Sequence, residues 1–102
     1  MVIELLKFQV SPEVREKFIQ KDEEIWTKFL ASCQGFLGKE VWINPLKPSE
    51  VILVIHWENR EFWKSISQIS LDETQAKFEQ EIGFYIPIVE IQEYQVRKLQ
   101  HL

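Results

Sequence analysis

Cysteine is almost absent from this chain of 102 residues, and histidine is scarce. Cys33 is the only cysteine, and the two histidines, His56 and His101, lie far apart in the sequence. These few side chains form no internal disulfide and lack the spacing of a metal site, so we expect neither a metal nor another cofactor. A lone cysteine is typical of a reducing compartment, and we expect a cytoplasmic protein.

Long apolar runs, basic clusters and glycine-rich phosphate loops are also missing. No run approaches the roughly 20 apolar residues that cross a bilayer, and the first residues lack the basic start of a signal peptide. The net charge is −4, and the 12 basic side chains alternate with 16 acidic ones. We therefore expect neither nucleic acid nor a membrane among the partners.

The chain is rich in apolar and aromatic residues. Hydrophobic residues make up 45% of it, and they include four tryptophans and seven phenylalanines. The length fits a single domain over residues 1–102, and we expect the polar tail, 97–102, to be frayed. A core of this size gives only marginal stability, so a second subunit would help.

Four segments have the apolar, β-branched character of strands. We predict strands at residues 2–10, 51–57 and 88–96, another within 35–45 that starts near Phe36 and ends before Asn44-Pro45, and a hairpin loop over residues 46–50. The third of these, VILVIHW, is apolar on both faces, which is typical of a central strand that is covered on both sides.

Three helices separate these strands. A long helix begins at Ser11-Pro12, where serine suits the cap and proline the first turn, and Gly35 is its expected end. A short helix runs from the Asn59 cap through Ile66. A further helix begins at the capping-box pattern of residues 70–73 and ends at Gly83.

The order β-α-β-β-α-β is that of a ferredoxin-like α+β fold, in which helices cover one face of a four-stranded antiparallel sheet. The other face needs cover as well, because the third strand is apolar on both sides. A second copy of the chain would provide it, and we expect a homodimer through the open sheet face.

Several segments carry a resemblance to a known family. GFLG at residues 35–38 enters the second strand, Trp57-Glu58 ends the third, and a short helix with Trp63 follows. From Val2 to about Val96 the chain resembles the antibiotic-biosynthesis-monooxygenase-like dimeric α+β barrels. More narrowly, GFLGKEVWINP, VILVIHW and EYQVRK are similar to a group of small cyanobacterial proteins of that superfamily.

The resemblance implies a range of functions. Some members oxygenate polyketide-like aromatic compounds without metal or cofactor, some degrade haem, and others are called stress-responsive. For the haem-degrading members, the resemblance implies an asparagine on the first strand, a tryptophan after the third strand and a ligating histidine on the following helix. Here the first strand offers Glu4, Lys7 and Gln9, and the segment from Leu71 to Ile82 contains no histidine, which disfavours haem degradation.

Trp57 and Trp63 lie at the corner between the third strand and the short helix, where the resemblance implies a pocket. Oxygenation without a cofactor needs an aromatic pocket that excludes water and a few polar groups that hold an anion of the ligand. The candidates are Trp57, Trp63, Trp42 and Tyr94 for the walls, Asn59 for a hydrogen-bond donor, and His56 and Glu4 for a base.

Each candidate also has a structural interpretation. A tryptophan fills a core, and Asn59 caps a helix. His56 and Trp57 are adjacent and point to opposite faces of a strand, so at most one of them faces a given pocket. If Trp57 faces the helices, His56 lies at the dimer interface, which is the interpretation we prefer. By the same alternation Glu4 and Lys7 point to opposite faces.

Two functions remain open from the sequence. The first is a homodimeric, non-enzymatic binding or stress-response module with a pocket for a small apolar or aromatic ligand. It is preferred because no converging acid–base pair is evident. The alternative is a cofactor-independent monooxygenase acting on a small aromatic or polyketide-like compound. An open cavity reached by Trp57 or Trp63 and a polar group favours the enzyme, and a cavity filled by Trp57, Trp63 and Phe78 favours the module.

Overall fold

The computed structural model describes residues 1–100, so the last two residues of the tail predicted over 97–102 lie outside the described part. Four antiparallel strands form one sheet in the order β2-β3-β1-β4. The strands are β1 (Val2–Gln9), β2 (Phe36–Asn44), β3 (Lys47–Trp57) and β4 (Ile88–Gln95). The predicted ferredoxin-like α+β fold is confirmed, with β3 at an inner position.

The helices pack against one face of the sheet. A 3-10 turn (Pro12–Val14) leads into α1 (Arg15–Asp22), a π-helical segment (Glu23–Thr27) and α2 (Lys28–Ala31), which together form one long helix. The others are α3 (Arg60–Lys64) and α4 (Gln68–Ile82). In the described residues no helix has both the length and the apolar character needed to cross a membrane.

Alternation along the strands decides which side chains meet the helices. Val51, Leu53, Ile55 and Trp57 of β3 are buried beneath the helices, and their register partners on the neighbouring strands share this face. Side chains at the intervening positions occupy the open face, which no other part of the described chain covers.

The hairpin between β2 and β3 is tighter than predicted. We expected a loop over residues 46–50, but β3 already begins at Lys47 and only Pro45 and Leu46 form the turn. The side chain of Asn44 accepts a hydrogen bond from the Leu46 backbone N–H at 2.9 Å, which closes the turn locally. Pro48 falls where the β2–β3 register shifts, a position at which its missing N–H is tolerated.

The start of α4 was also predicted wrongly. The expected cap, Ser70, lies within the first turn, because the helix begins at Gln68 and Ser67 is its cap. The Ser67 hydroxyl accepts a hydrogen bond from the Ser70 backbone N–H at 3.1 Å. Two serines three residues apart offer the same signal, and the earlier one captures the free N–H group.

Gly35 serves the turn after the long helix and not the helix end itself, which is at Ala31. Its φ of 84° lies in the left-handed region, which favours glycine. A Cβ added here would lie 2.5 Å from Cβ of Phe62 on α3, and the Gly35 carbonyl accepts a hydrogen bond from the Glu58 backbone N–H at 2.8 Å. The glycine therefore allows α3 to pack closely against the start of β2.

Replacing Gly35 with alanine should lower the free energy of unfolding by roughly 2–4 kcal/mol, combining left-handed strain with steric overpacking. Gly83→Ala is a matched control, because Gly83 has the same φ of 84° but no atom within 4 Å of the added Cβ. That control should lose only about 1–2 kcal/mol from the backbone term. Urea unfolding measures both, and equal losses would contradict the close-packing role of Gly35.

Candidate active site

A cavity of about 570 Å³ lies between the sheet and the helices. Its size is within the roughly 300–1,000 Å³ range of small-molecule sites. The side chains that line it are mostly apolar, so a ring-sized ligand would be well matched. They include Leu6, Phe8 and Ile55 of the sheet, Phe18, Trp26 and Leu30 of the long helix, and Trp63, Phe78 and Phe84.

Glu4 brings a carboxylate into this apolar cavity from β1. Its Oε1 accepts a hydrogen bond from the Trp57 indole N–H at 3.1 Å. Burial raises the pKa of Glu4 above its ordinary value, although the Trp57 hydrogen bond and the charges of Lys64 and Lys39 oppose this shift. A carboxyl group with a raised pKa in a cavity is suited to accepting a proton from a bound molecule.

A buried ion pair forms a second polar group of the cavity. The side chains of Asp22 and Lys39 are each 3% exposed, and Lys39 Nζ contacts Asp22 Oδ2 at 2.5 Å. Lys39 Nζ also donates a hydrogen bond to the Thr27 hydroxyl at 3.0 Å. Burial raises the pKa of Asp22, against the opposing effect of the Lys39 charge. Both members of the pair line the cavity.

The π-helical segment explains how Asp22 and Thr27 reach the same ammonium group. In an α-helix, five residues advance by about 500°, which leaves their side chains about 140° apart. The segment Glu23–Thr27 has π-helical geometry, which brings residues five apart closer in angle. Such segments frequently occur at functional sites, and here the segment positions two ligands of the buried Lys39.

The two tryptophans at the corner have different positions. Trp63 of α3 lines the cavity, and the Lys64 ammonium lies 4.0 Å from the centre of its ring. Trp57 is fully buried and packs edge to face on Phe36, with ring centroids 5.9 Å apart. Trp57 therefore supports the cavity by holding Glu4, while Trp63 forms part of its wall.

Three other candidates lie on the open face of the sheet, away from the cavity. His56 Nε2 is 2.6 Å from Glu40 Oε2, and the Trp42 indole N–H donates to Glu40 Oε1 at 3.2 Å. The hydrogen bond from Trp42 has the larger effect in lowering the pKa of Glu40, and that of His56 lowers it further. Tyr94 is 51% exposed on β4, opposite Ile3. The structure thus separates Trp42, His56 and Tyr94 from Glu4 and Trp63.

Asn59 is placed at the start of α3 as its cap. Its Oδ1 accepts a hydrogen bond from the Phe62 backbone N–H at 2.9 Å. Asn59 is not among the residues that line the cavity. Within residues 1–100, no group of three or more His, Cys, Asp and Glu side chains is arranged to hold a metal ion.

Sequence reasoning missed the Asp22–Lys39 pair, although the spacing contained a signal for it. Asp22 is four residues after Phe18 and three before Ile25, so it lies on the apolar stripe of the long helix. Lys39 precedes Val41 by two residues, so it lies on the same face of β2. A negative and a positive charge on two buried faces predict a pair.

Comparison with known proteins identifies the family of this chain. The family model described as antibiotic biosynthesis monooxygenase matches residues 1–68. None of the curated proteins compared with the chain matches it. The solved structures that it resembles share its fold at low sequence identity, which supports the architecture but not a shared activity.

Three of these structures illustrate the likeness. The monooxygenase from the gene ActVA-Orf6 of Streptomyces coelicolor, solved with the ligand nanaomycin D, has a TM-score of 0.73 and 13% identity, covering 99% of this chain and 91% of that one. SnoaB, a cofactor-independent oxygenase from Streptomyces nogalater, has a TM-score of 0.68 and 13% identity, with coverages of 96% and 94%. A conserved protein from Methanosarcina mazei Go1 has a TM-score of 0.65 and 17% identity, with coverages of 92% and 90%.

The match to the family model covers about the first two thirds of the chain. It extends from β1, which carries Glu4, through the long helix and β2 to α3, which carries Trp63. On this match, the chain belongs to the antibiotic biosynthesis monooxygenase family.

Proposed function

We propose that the chain is a cofactor-independent monooxygenase acting on a small aromatic compound. The observation that carries this proposal is the partly buried carboxylate of Glu4 in an open cavity that Trp63 lines. The sequence favoured a non-enzymatic module because no acid–base group was seen to converge on a pocket. The cavity is open rather than filled by its tryptophans, and a base enters it, which supports the enzyme instead.

The proposed reaction begins with a proton transfer. The ionised Glu4 takes a proton from an acidic C–H or O–H group of the ligand, and the electron pair stays on the conjugated ligand anion. That anion is the reductant of O2. One oxygen atom enters the ligand, and the other leaves as water with two hydrogen atoms of the ligand. The apolar walls strengthen the electrostatic interactions of the anion by excluding water.

The test is oxygen consumption by the purified chain with a panel of anthrones and hydroxylated naphthalenes. These compounds have acidic groups conjugated to a ring of suitable size. We expect at least one of them to give turnover that exceeds its uncatalysed oxidation, with the oxygenated product identified by mass spectrometry. Tight binding of several compounds with no oxygen consumption by any would instead favour the binding module.

We also propose that the chain forms a homodimer through the open face of its sheet. This face carries large apolar side chains that a lone chain leaves partly in water: Trp42 is 45% and Tyr94 51% exposed, and they lie on β2 and β4, toward opposite edges. Leu5 and Ile52 lie between them on the inner strands. A second copy placed sheet to sheet would remove this surface from water.

Replacing Leu5 with glutamate should weaken this dimer by roughly 100-fold or more, because an unpaired charge would be buried at the centre of the interface. Leu46→Glu is the matched control, since Leu46 is 91% exposed in the hairpin turn. Light scattering over a dilution series measures the oligomeric state. We expect dimers for the wild type and for the control, and monomers for Leu5→Glu; unchanged dimers in Leu5→Glu would contradict this interface.

A further inference from the structure

We propose that Lys39 is a catalytic residue whose ammonium group donates a hydrogen bond to the deprotonated ligand and stabilises its negative charge. Asp22 and Thr27 are the residues that position Lys39. This inference rests on the proposed function, and it assigns a second chemical role within the same cavity.

An ammonium group has three N–H donors. In the described residues, two donors of Lys39 are directed at Asp22 Oδ2 and Thr27 Oγ1, which come from the long helix. Lys39 also lines the cavity, and its side chain is 3% exposed. One N–H group is therefore left for a ligand, in a place where it has little access to bulk water.

The register of the sheet sets the distance between this group and Glu4. Both residues pair with Ile55, Glu4 from β1 and Lys39 from β2, and all three point toward the helices. Neighbouring strands are about 4.8 Å apart, so the two backbones are roughly 10 Å apart on either side of β3. A ring seated over Ile55 would meet the carboxylate at one edge and the ammonium at the other.

This arrangement favours the proton transfer from the ligand to Glu4, which shifts the negative charge from Glu4 to the ligand. Before the proton moves, the negative charge is on Glu4; afterwards Glu4 is neutral, and the charge is spread over the conjugated ligand as far as its far edge. The total charge in the cavity is unchanged, but the negative charge has moved toward Lys39. The fixed ammonium thus stabilises the charge where it develops, without reorganising at that moment.

Asp22 explains why the ammonium group of Lys39 is tolerated in this apolar cavity. A buried charge without a partner is strongly unfavourable, and Asp22 compensates Lys39 directly. The other charged side chains that line the cavity, Lys64 and Glu79, are exposed to solvent, which screens their charges. Lys39 is therefore the cation that is fixed in place.

The experiment measures the ionisation of 2-naphthol bound to the protein, by the absorbance of its naphtholate form during a pH titration. The deciding variant is Asp22→Asn/Lys39→Met, which removes both charges and leaves no unpaired ion. We expect the pKa of the bound probe to be about one unit higher in this variant than in the wild type, which is about a tenfold change in ionisation.

Asp22→Asn alone gives an independent arm. It keeps Lys39 but removes the opposing charge, so the pKa of the bound probe should fall below that of the wild type. A merely structural disturbance would not move the two variants in opposite directions. The deciding comparison does not require Asp22→Asn to fold, and circular dichroism checks the fold of both variants.

Naphthalene serves as the control probe, because it has the ring but no hydroxyl group. Its binding, followed by quenching of tryptophan fluorescence, should be the same in the wild type and the double variant. An unchanged naphthol pKa together with retained binding of both probes would overturn the role of Lys39 and leave the proposed function standing. Failure of the wild type to bind either probe, together with no oxygen consumption across the panel of anthrones and hydroxylated naphthalenes, would overturn both.

Discussion

Glu4→Gln is expected to reduce oxygen consumption by at least about 100-fold, because the cavity would lose the base that removes the ligand's proton. Glutamine has nearly the same size, and its carbonyl oxygen still accepts the hydrogen bond that the Trp57 indole N–H gives to Glu4 at 3.1 Å. The loss would thus report on chemistry rather than on packing. Glu79→Gln removes another carboxylate that lines the cavity and should leave the rate nearly unchanged.

The pH dependence gives this prediction a second readout. Only the ionised carboxylate accepts a proton, and burial raises the pKa of Glu4 above its ordinary value of 4.5. Activity of the wild type should therefore rise with pH through a pKa above 4.5. The rising limb should be absent from Glu4→Gln, and an active variant with the wild-type pH profile would rule out Glu4 as the base.

The folding stability of the wild type should fall as pH rises, whereas its activity should rise. Between pH 4.5 and the raised pKa, the folded state binds more protons at Glu4 than the unfolded state does, so folding stability falls as pH rises through this window. Glutamine carries no charge to desolvate. At neutral pH we therefore expect Glu4→Gln to unfold with a free energy roughly 0.5–2 kcal/mol higher than the wild type, which also excludes misfolding as the cause of its inactivity.

Lys39→Met is expected to lower the free energy of unfolding by about 3–5 kcal/mol, because it leaves the carboxylate of Asp22 buried without a partner. Both side chains are 3% exposed, so bulk water has little access to the carboxylate that loses its ammonium partner. Urea unfolding at neutral pH measures the loss. Lys77→Met, at an exposed position of α4, is the matched control and should change stability by less than about 0.5 kcal/mol.

The double variant Asp22→Asn/Lys39→Met completes the cycle. With both charges removed, no ion remains to be desolvated, and we expect most of the stability to return. The cycle separates the attraction between the two groups from the cost of burying them. Equal losses in Lys39→Met and in the double variant would mean that Asp22 is hydrated in solution, contrary to its burial in the structure.

Much of the fold was predictable because the local signals agreed with one another. Breakers such as Ser11-Pro12 and Gly83 separate segments of strand and helix character, and an apolar central strand required neighbours on both sides. The errors were at boundaries where two equivalent signals compete, as at Ser67 and Ser70. The short hairpin turn was missed because a side chain, that of Asn44, closes it rather than a glycine.

The candidate site was less predictable because it depends on register. That His56 and Trp57 take opposite faces follows from alternation alone, and the structure places them so. Which face each one takes depends on pairing across β1 and β3, where Trp57 meets Val2. Trp42 and Tyr94 carry no local signal that separates a pocket from an interface, and only the assembled sheet places them on the open face.

The long helix also shows how a change in chain length is tolerated inside a packed element. Phe18 and Leu30 are both buried, yet twelve residues of regular α-helix would turn their side chains about 120° apart. A π-helical turn acts as one extra residue taken up without advancing the helix, which reduces this angle to about 20°. The segment Glu23–Thr27 thus keeps the two halves in phase, and deletion of one residue there would convert the segment to regular α-helix without rotating one half relative to the other. The burial of the core would survive such a deletion, while the joint approach of Asp22 and Thr27 to Lys39 would be lost.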